Sequence, residues 1–98
     1  MKLTQKKIIE TIEAHKVELR DLEVKRLGLF GSFLKGSPKK GSDLDFLVVF
    51  DRPTFDNYMD LKFLLEKIFH RKVDLVTEAS LKPALKYVKK EALYVSGV

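Results

Sequence analysis

Two short apolar segments, each bounded by turn-forming residues, place the strongest constraint on the fold of this chain. They are Val24–Phe30 (VKRLGLF) and Leu44–Phe50 (LDFLVVF), rich in Val, Leu and Phe and bounded by Gly, Ser, Pro and Asp. This composition is typical of buried strands. The polar stretch between the segments predicts a loop that joins two strands.

Two carboxylates stand at the start of the second strand. Because side chains alternate along a strand, Asp43 and Asp45 are expected on one face, with Leu44 and Phe46 on the other. Neighbouring carboxylates repel and raise one another's pKa unless a divalent cation lies between them. Mg²⁺ is the natural candidate, since it prefers oxygen ligands and phosphates. An isolated Asp-x-Asp at a strand start is more often simply solvated.

The end of the first strand predicts a phosphate-binding turn. Gly31-Ser32 follows Phe30 and indicates a tight turn that opens a short helix, whose free N–H groups and Ser32 hydroxyl suit phosphate oxygens. Lys35 adds a positive charge nearby. A Gly-Ser turn alone means little. Its combination with Asp-x-Asp ten residues later is rarer and favours a site for metal and phosphate.

A third carboxylate lies inside a third predicted strand, residues 72–77. Asp74 stands between Val73 and Leu75 and must project from the opposite face to both. In an interior strand this side chain is costly unless a cation or a donor meets it, whereas in an edge strand water suffices. The residues alone leave both interpretations open.

Helical patterns fill most of the remaining chain. One amphipathic helix is predicted from Thr4, its N-cap, to about Leu19, and a second begins at Thr54 or Asp56 after Pro53. A last helix is predicted after Ser80, with Pro83 in its first turn. The order αβαβαβα predicts an α/β (α+β) fold, with a small mixed three-stranded sheet packed by helices in a single domain, residues 1–98.

Composition narrows the class of protein. The chain has 98 residues and no cysteine, so it cannot form disulfides. Its net charge of +5 suits a partner that is rich in phosphate or acidic groups. Its apolar runs are far shorter than the roughly 20 residues that span a bilayer. We expect a cytoplasmic protein without a membrane partner.

Several residues keep two interpretations. Glu66 and Glu78 are candidates for substitute carboxylates, although a surface role is favoured for both. Three tyrosines either stack a base, meet a partner or pack in the fold: Tyr58, Tyr87 and Tyr94. His15 and His70 have no second ligand at helical spacing, so we expect neither to bind metal.

The segments Leu29–Phe33 and Ser42–Val48 resemble the minimal nucleotidyltransferase (MNT) branch of the DNA polymerase β-like nucleotidyltransferase superfamily. Asp74 falls where that family places its third carboxylate, and the tail Leu81–Tyr94 resembles its closing helix. The chain departs from the family at Lys35, where arginine is common; lysine lacks the bidentate fork of arginine.

The resemblance implies a nucleotidyltransferase-like fold and a particular site. Asp43, Asp45 and Asp74 would be the catalytic residues and the ligands of two Mg²⁺ ions. The implied nucleotide-binding residues are Gly31, Ser32, Lys35 and Ser42. The implied activity transfers AMP from ATP to a hydroxyl of a HEPN-type helical toxin, which makes this chain the antitoxin of a toxin–antitoxin system.

Two other functions remain as alternatives. The chain could be a non-catalytic antitoxin that blocks its partner sterically, but such a binder has no physical need for clustered carboxylates. Transfer to an RNA end or a small molecule is less favoured, because 98 residues leave no room for an acceptor-binding domain. The loop that leads to Asp43 contains Lys39 and Lys40, and this positive charge keeps RNA open as an acceptor without favouring it.

Overall fold

The computed structural model describes residues 3–31, 33, 43–81 and 87–95. In chain order the elements are α1 (Gln5–Glu13), α2 (Lys16–Asp21), β1 (Val24–Phe30), β2 (Leu44–Phe50), α3 (Phe55–Phe69), β3 (Val73–Thr77), a 3₁₀ helix (Glu78–Ser80), α4 (Tyr87–Glu91) and β4 (Leu93–Tyr94). Strands β1 and β2 have the bounds that the sequence predicts. Strand β3 begins at Val73 rather than at Lys72.

The four strands form one mixed sheet in the order β3-β2-β1-β4. Strand β1 runs antiparallel to β2 and β4, whereas β2 and β3 run parallel. Parallel neighbours require a crossover connection, and α3 lies between them in the chain. The α+β class with a mixed sheet is therefore confirmed, and β3 lies at an edge of the sheet. The predicted number of three strands is wrong, because β4 pairs with β1 and adds a fourth strand.

One apolar cluster joins the helices to one face of the sheet. Helices α1, α2 and α3 and strands β1, β2 and β3 all contribute to it, and removal of this apolar surface from water is the main force that holds the layers together. Phe46 of β2 stacks on Phe69 of α3 with ring centroids 6.1 Å apart. Fully buried members include Ile8, Ile12, Leu19, Leu27, Leu29, Leu44, Phe46, Val48, Leu61, Leu65 and Val73.

Threonine side chains begin two of the helices. The hydroxyl of Thr4 accepts a hydrogen bond from the Lys7 N–H at 3.2 Å, which confirms Thr4 as the N-cap of α1. Thr54 does the same for α3 by accepting from the Asn57 N–H at 3.1 Å. Helix α3 ends at Phe69, and the left-handed backbone of the C-cap residue His70 turns the chain toward β3.

The single helix predicted from Thr4 to about Leu19 is wrong, because the chain forms two helices with a break at Ala14 and His15. The His15 ring, through Nδ1, lies 2.8 Å from the Thr11 carbonyl oxygen, the acceptor that the His15 backbone N–H would use in a continuous helix. That N–H instead donates to the Ile12 carbonyl at 2.9 Å. A local side-chain hydrogen bond thus competes with the helical ladder and ends α1.

The tail also differs from the sequence prediction. Leu93 and Tyr94, assigned there to a closing helix, form the short strand β4 beside β1. Ser80 lies in the 3₁₀ helix, where its hydroxyl donates to the Thr77 carbonyl and accepts from the Thr77 hydroxyl. The predicted first turn at Pro83 lies outside the described residues.

No helix in the described part of the chain is both long enough and apolar enough to cross a membrane.

Candidate functional site

Asp45 and Asp74 lie side by side on neighbouring strands. They are register partners in the parallel ladder between β2 and β3, one position after the pair Leu44 and Val73. Leu44 and Val73 are fully buried, whereas Asp45 is half-buried and Asp74 is exposed. The predicted alternation of buried apolar side chains with the two aspartates along these strands is confirmed. Asp74 lies on an edge strand, as its solvated interpretation requires, yet the ladder also places it beside Asp45.

The surroundings of the Asp45 carboxyl disfavour its ionised form. Burial, followed by the negative charges of Asp74 and Asp43, raises the pKa of Asp45 from 3.8 to about 6. Asp43 is exposed just before β2, and its charge reaches Asp45 along the same side of the chain. The structure thus brings the charges of the three predicted carboxylates together, with Asp45 at the centre.

Gly31 brings the turn after β1 against this carboxyl. Its neighbour Phe30 is the register partner of Asp45, and Gly31 has a φ of +77°, in the left-handed region that favours glycine. A Cβ on Gly31 would lie 2.9 Å from Asp45 Cγ and would collide with Oδ2. Only a residue without a side chain allows this approach of the turn to the carboxylate.

Phe33 anchors the same turn to the core. Its side chain is buried within the apolar cluster, and the Arg71 guanidinium carbon lies 5.4 Å from its ring centroid. This cation–π contact joins the turn to the segment that enters β3. Ser32, Lys35 and Ser42, the other predicted nucleotide-binding residues, lie outside the described residues.

The carboxylates do not form a closed metal cage. Within residues 3–31, 33, 43–81 and 87–95, no three His, Cys, Asp or Glu side chains are grouped so as to hold a metal ion. Asp43, Asp45 and Asp74 supply the oxygen atoms that hard divalent cations prefer, so they are the residues from which such a site could be completed by oxygens of a bound ligand.

Neither alternative glutamate adds to this group. Glu66 of α3 accepts a hydrogen bond from the backbone N–H of Val73 at 3.1 Å. Glu78 pairs with Arg26 of β1, with 3.5 Å between Oε2 and Nη2. Each carboxylate therefore already serves a contact within the fold.

Two of the three tyrosines are held by the fold. Tyr58 donates from its hydroxyl to the Leu75 carbonyl at 2.6 Å, and the Tyr94 ring lies against Gly28 with the Arg26 guanidinium 5.5 Å from its centroid. Tyr87 is exposed. Tyr58 and Glu66 both contact β3 beside Asp74, and the sequence did not predict these contacts. The sequence indicated only that both residues lie on the same helix.

A cavity of about 280 Å³ lies at the other end of the parallel strands. Its lining consists of Phe50, Pro53, Thr54, Phe55, Tyr58 and Thr77. Thr77 and Phe50 close β3 and β2, whereas Asp45 and Asp74 lie near the start of those strands and do not line the cavity. It does not belong to the carboxylate site.

Because function is argued from a site and not from a fold alone, the carboxylates on two adjacent strands beside a tight glycine turn are the feature that points to a nucleotide-transfer domain. The profile of the nucleotidyltransferase domain family matches residues 12–95. This chain belongs to the nucleotidyltransferase domain family.

Known relatives agree in sequence and in fold. The protein adenylyltransferase MntA of Thermococcus cleftensis is 40% identical over 96 residues, which cover 95% of this chain and 97% of that protein. A solved structure of a proposed minimal nucleotidyltransferase is 33% identical with a TM-score of 0.71, covering 87% of this chain and 93% of that one.

A third comparison concerns the fold alone. A chain from the complex of a tri-AMPylated HEPN toxin with an MNT antitoxin from Shewanella oneidensis has a TM-score of 0.63 at 22% identity. The match covers 92% of this chain and 73% of that chain. The α+β architecture described above is thus the architecture of minimal nucleotidyltransferases.

Proposed function

We propose that this chain is a Mg²⁺-dependent adenylyltransferase that moves AMP from ATP to a hydroxyl group of a HEPN-type toxin and thereby acts as its antitoxin. The observation that carries the proposal is the pairing of Asp45 with Asp74 on adjacent strands, beside the turn at Gly31. Burial, together with the charges of Asp74 and Asp43, raises the pKa of Asp45, and a domain with only a structural role gains nothing from a carboxylate placed in this way.

The donor set fits Mg²⁺. This ion is usually held by one or two carboxylates together with phosphate oxygens of the substrate, rather than by an all-protein cage. Asp43, Asp45 and Asp74 would hold two ions in this way, and the repulsion centred on Asp45 would be relieved. Bound Mg²⁺ supplies neutralisation of the phosphate charge and activation of the attacking hydroxyl.

The chain's own residues position the reactants. The turn at Gly31, with Ser32, Lys35 and Ser42, holds the phosphates of ATP next to Asp45. The acceptor hydroxyl oxygen forms a bond to the α-phosphorus, and the bond from that phosphorus to the oxygen bridging to the β-phosphate breaks. Pyrophosphate leaves with the electron pair, and the hydroxyl proton passes to Asp74 or to water.

The relatives support the proposed acceptor and donor. MntA of Thermococcus cleftensis, similar over nearly its whole length, is a protein adenylyltransferase, which supports AMP transfer to a protein. The Shewanella oneidensis complex holds a tri-AMPylated HEPN toxin with its MNT antitoxin, and it provides the model for the partner that we propose.

Transfer of labelled AMP tests this function. The full chain is incubated with ATP labelled at the α-phosphate, Mg²⁺ and a co-expressed HEPN-type helical protein, and label on that protein is measured. We expect labelling that EDTA abolishes. Asp45→Asn and Asp74→Asn should each lower the rate about 100- to 1000-fold, by analogy with loss of one group that stabilises a transition state. Asp60→Asn, an exposed carboxylate of α3, is the control and should label normally.

Neutralisation of the toxin in cells separates catalysis from steric blocking. The double variant Asp43→Asn/Asp45→Asn should fold and bind the partner but should no longer relieve toxicity. Absence of label with every nucleotide, together with unaltered neutralisation by this variant, would favour the non-catalytic antitoxin instead. Label on RNA rather than on the protein would identify a nucleic-acid acceptor.

A further inference from the structure

We propose that Tyr58 and Glu66 of α3 are positioning residues for Asp74, because they bind the backbone of β3 immediately before and immediately after it. We call these two hydrogen bonds, from Tyr58 and to Glu66, the clamp. The effect of the clamp on catalysis rests on the function proposed above, whereas the hydrogen bonds themselves can be tested without any activity.

The clamp acts on the outer edge of β3. The Lys72 carbonyl accepts a hydrogen bond from the Leu44 N–H at 3.1 Å and so points toward β2. Because backbone groups alternate along a strand, those of Asp74 also point toward β2, whereas those of Val73 and Leu75 point away from it. The outer edge therefore presents the N–H and the carbonyl of both Val73 and Leu75, one residue on each side of Asp74. Two of these groups, the Val73 N–H and the Leu75 carbonyl, are within reach of α3.

Helix α3 satisfies both of these groups with side chains. Glu66 Oε2 accepts from the Val73 N–H at 3.1 Å, and the Tyr58 hydroxyl donates to the Leu75 carbonyl at 2.6 Å. The acceptor and the donor each match the backbone group that they meet, and both contacts are partly buried. Edge groups of a sheet that are otherwise unpaired are covered here by the helix.

Core packing makes the clamp rigid. Leu61 and Leu65, between the two clamp residues in the chain, are fully buried, so α3 itself is fixed on the sheet. Tyr58 also packs its ring against the apolar cluster. The segment around Asp74 is thus held by β2 on one side and, through Val73 and Leu75, by α3 on the other, which sets where the exposed Asp74 carboxylate stands relative to Asp45.

Amide exchange measures the clamp directly. In the full chain, Glu66→Met removes the acceptor while keeping the length of the side chain, and we expect the Val73 amide to exchange about tenfold faster or more. Glu66→Gln retains an oxygen acceptor and should restore slow exchange. Lys67→Met places the same new side chain on an exposed neighbour of the same helix and should leave the Val73 amide unchanged.

Transfer kinetics then measure positioning. Glu66→Met and Tyr58→Phe should each lower kcat about 10-fold, as loss of a group that supports a metal ligand does, while the KM for ATP stays within about twofold. Glu66→Gln should recover most of kcat. Tyr87→Phe removes a hydroxyl at an exposed tyrosine but keeps the ring that would stack a base or meet a partner, so this matched control should leave kcat unchanged.

Each outcome decides the proposal. Unchanged exchange of the Val73 amide in Glu66→Met would overturn the clamp, and faster exchange with unchanged kcat would overturn its positioning role. A proportional rise in KM with no rescue by Gln would indicate general loss of structure and would also overturn it. If the wild-type chain transfers no AMP to any acceptor, the proposed function fails, while the exchange rates still confirm or refute the clamp.

Discussion

The backbone of Gly31 lies directly against the carboxylate of Asp45. Two separate features require glycine at this position: its φ of +77° and the lack of space for a Cβ, which would lie 2.9 Å from Asp45 Cγ and 3.1 Å from Asp45 Cβ. The first is a backbone requirement and the second a contact with one side chain. They can therefore be separated by mutation.

Replacement of Gly31 by alanine should destabilise the fold and displace Asp45. Left-handed backbone costs an alanine about 1 kcal/mol, and the collision with Asp45 adds to it, so we expect the free energy of unfolding to fall by roughly 2–3 kcal/mol. Urea unfolding measured by circular dichroism checks the value. Transfer activity should be lost at temperatures where the variant is still folded, because the carboxylate has moved.

A double-mutant cycle separates the two costs. In an Asp45→Ala background the carboxyl group is absent and only the Cβ contact at 3.1 Å remains, so the cost of Gly31→Ala should fall toward about 1 kcal/mol, the cost of its backbone conformation. An equal cost of Gly31→Ala with and without the Asp45 carboxyl would show that the contact contributes nothing.

Removal of the Asp45 charge should stabilise the protein near neutral pH. The pKa of Asp45 is raised from 3.8 to about 6, so between these values the folded state binds more protons than the unfolded state. The free energy of unfolding therefore falls as pH rises through this range. Asp45→Asn lacks this loss and should be more stable than wild type above about pH 6, by about 1 kcal/mol once screening by solvent is allowed for.

The pH dependence of the stability difference between Asp45→Asn and wild type is the decisive part of that measurement. The advantage of Asp45→Asn should shrink as pH falls below about 6 and should vanish near pH 4, in thermal melts without divalent cations. Asp60→Asn removes an equal charge from an exposed site and serves as the comparison. A stability gain for Asp45→Asn that is the same at all pH values would contradict the electrostatic explanation.

Local patterns in the sequence predict the parts of the site that depend on one strand or one turn. The bounds of β1 and β2 follow from apolar composition, and the opposite orientation of Asp45 and Phe46 follows from strand alternation. Thr4 and Thr54 are recognisable N-caps because the cap bonds lie within three residues. These interactions need no knowledge of the tertiary structure.

Local sequence patterns do not predict contacts between elements that are distant in the chain. Strand β4 exists because Leu93 and Tyr94 pair with β1, and the roles of Tyr58 and Glu66 depend on where α3 lies relative to β3. The break at His15 is a local feature, but the sequence does not predict it, because no residue spacing marks a histidine whose ring binds the Thr11 carbonyl. Register between β2 and β3, which pairs Asp45 with Asp74, likewise emerges only from the sheet.

Nucleotide and Mg²⁺ should stabilise the chain together. A non-hydrolysable ATP analogue at 100 times its dissociation constant adds about 2.7 kcal/mol to the free energy of unfolding, if it binds only the folded state. We expect this gain with Mg²⁺ and a much smaller one with EDTA, measured by thermal melts. The rise should disappear in Asp45→Asn/Asp74→Asn, whereas Asp60→Asn should keep it. An equal gain with EDTA would exclude metal-assisted binding of the phosphates.

Substitution of Gly28 tests how the short strand β4 is held. The Tyr94 ring lies over Gly28, and a Cβ there would meet ring atoms at 3.0 and 3.1 Å and the Ala92 Cβ at 3.2 Å. Gly28→Ala should therefore push Tyr94 aside and lower the free energy of unfolding by about 1–2 kcal/mol, as overpacking does. Because most of this cost comes from the ring, Tyr94→Leu should reduce the penalty of Gly28→Ala in a double-mutant cycle. Denaturant unfolding of the four proteins gives the coupling energy, and a value near zero would show that β4 does not rely on this contact.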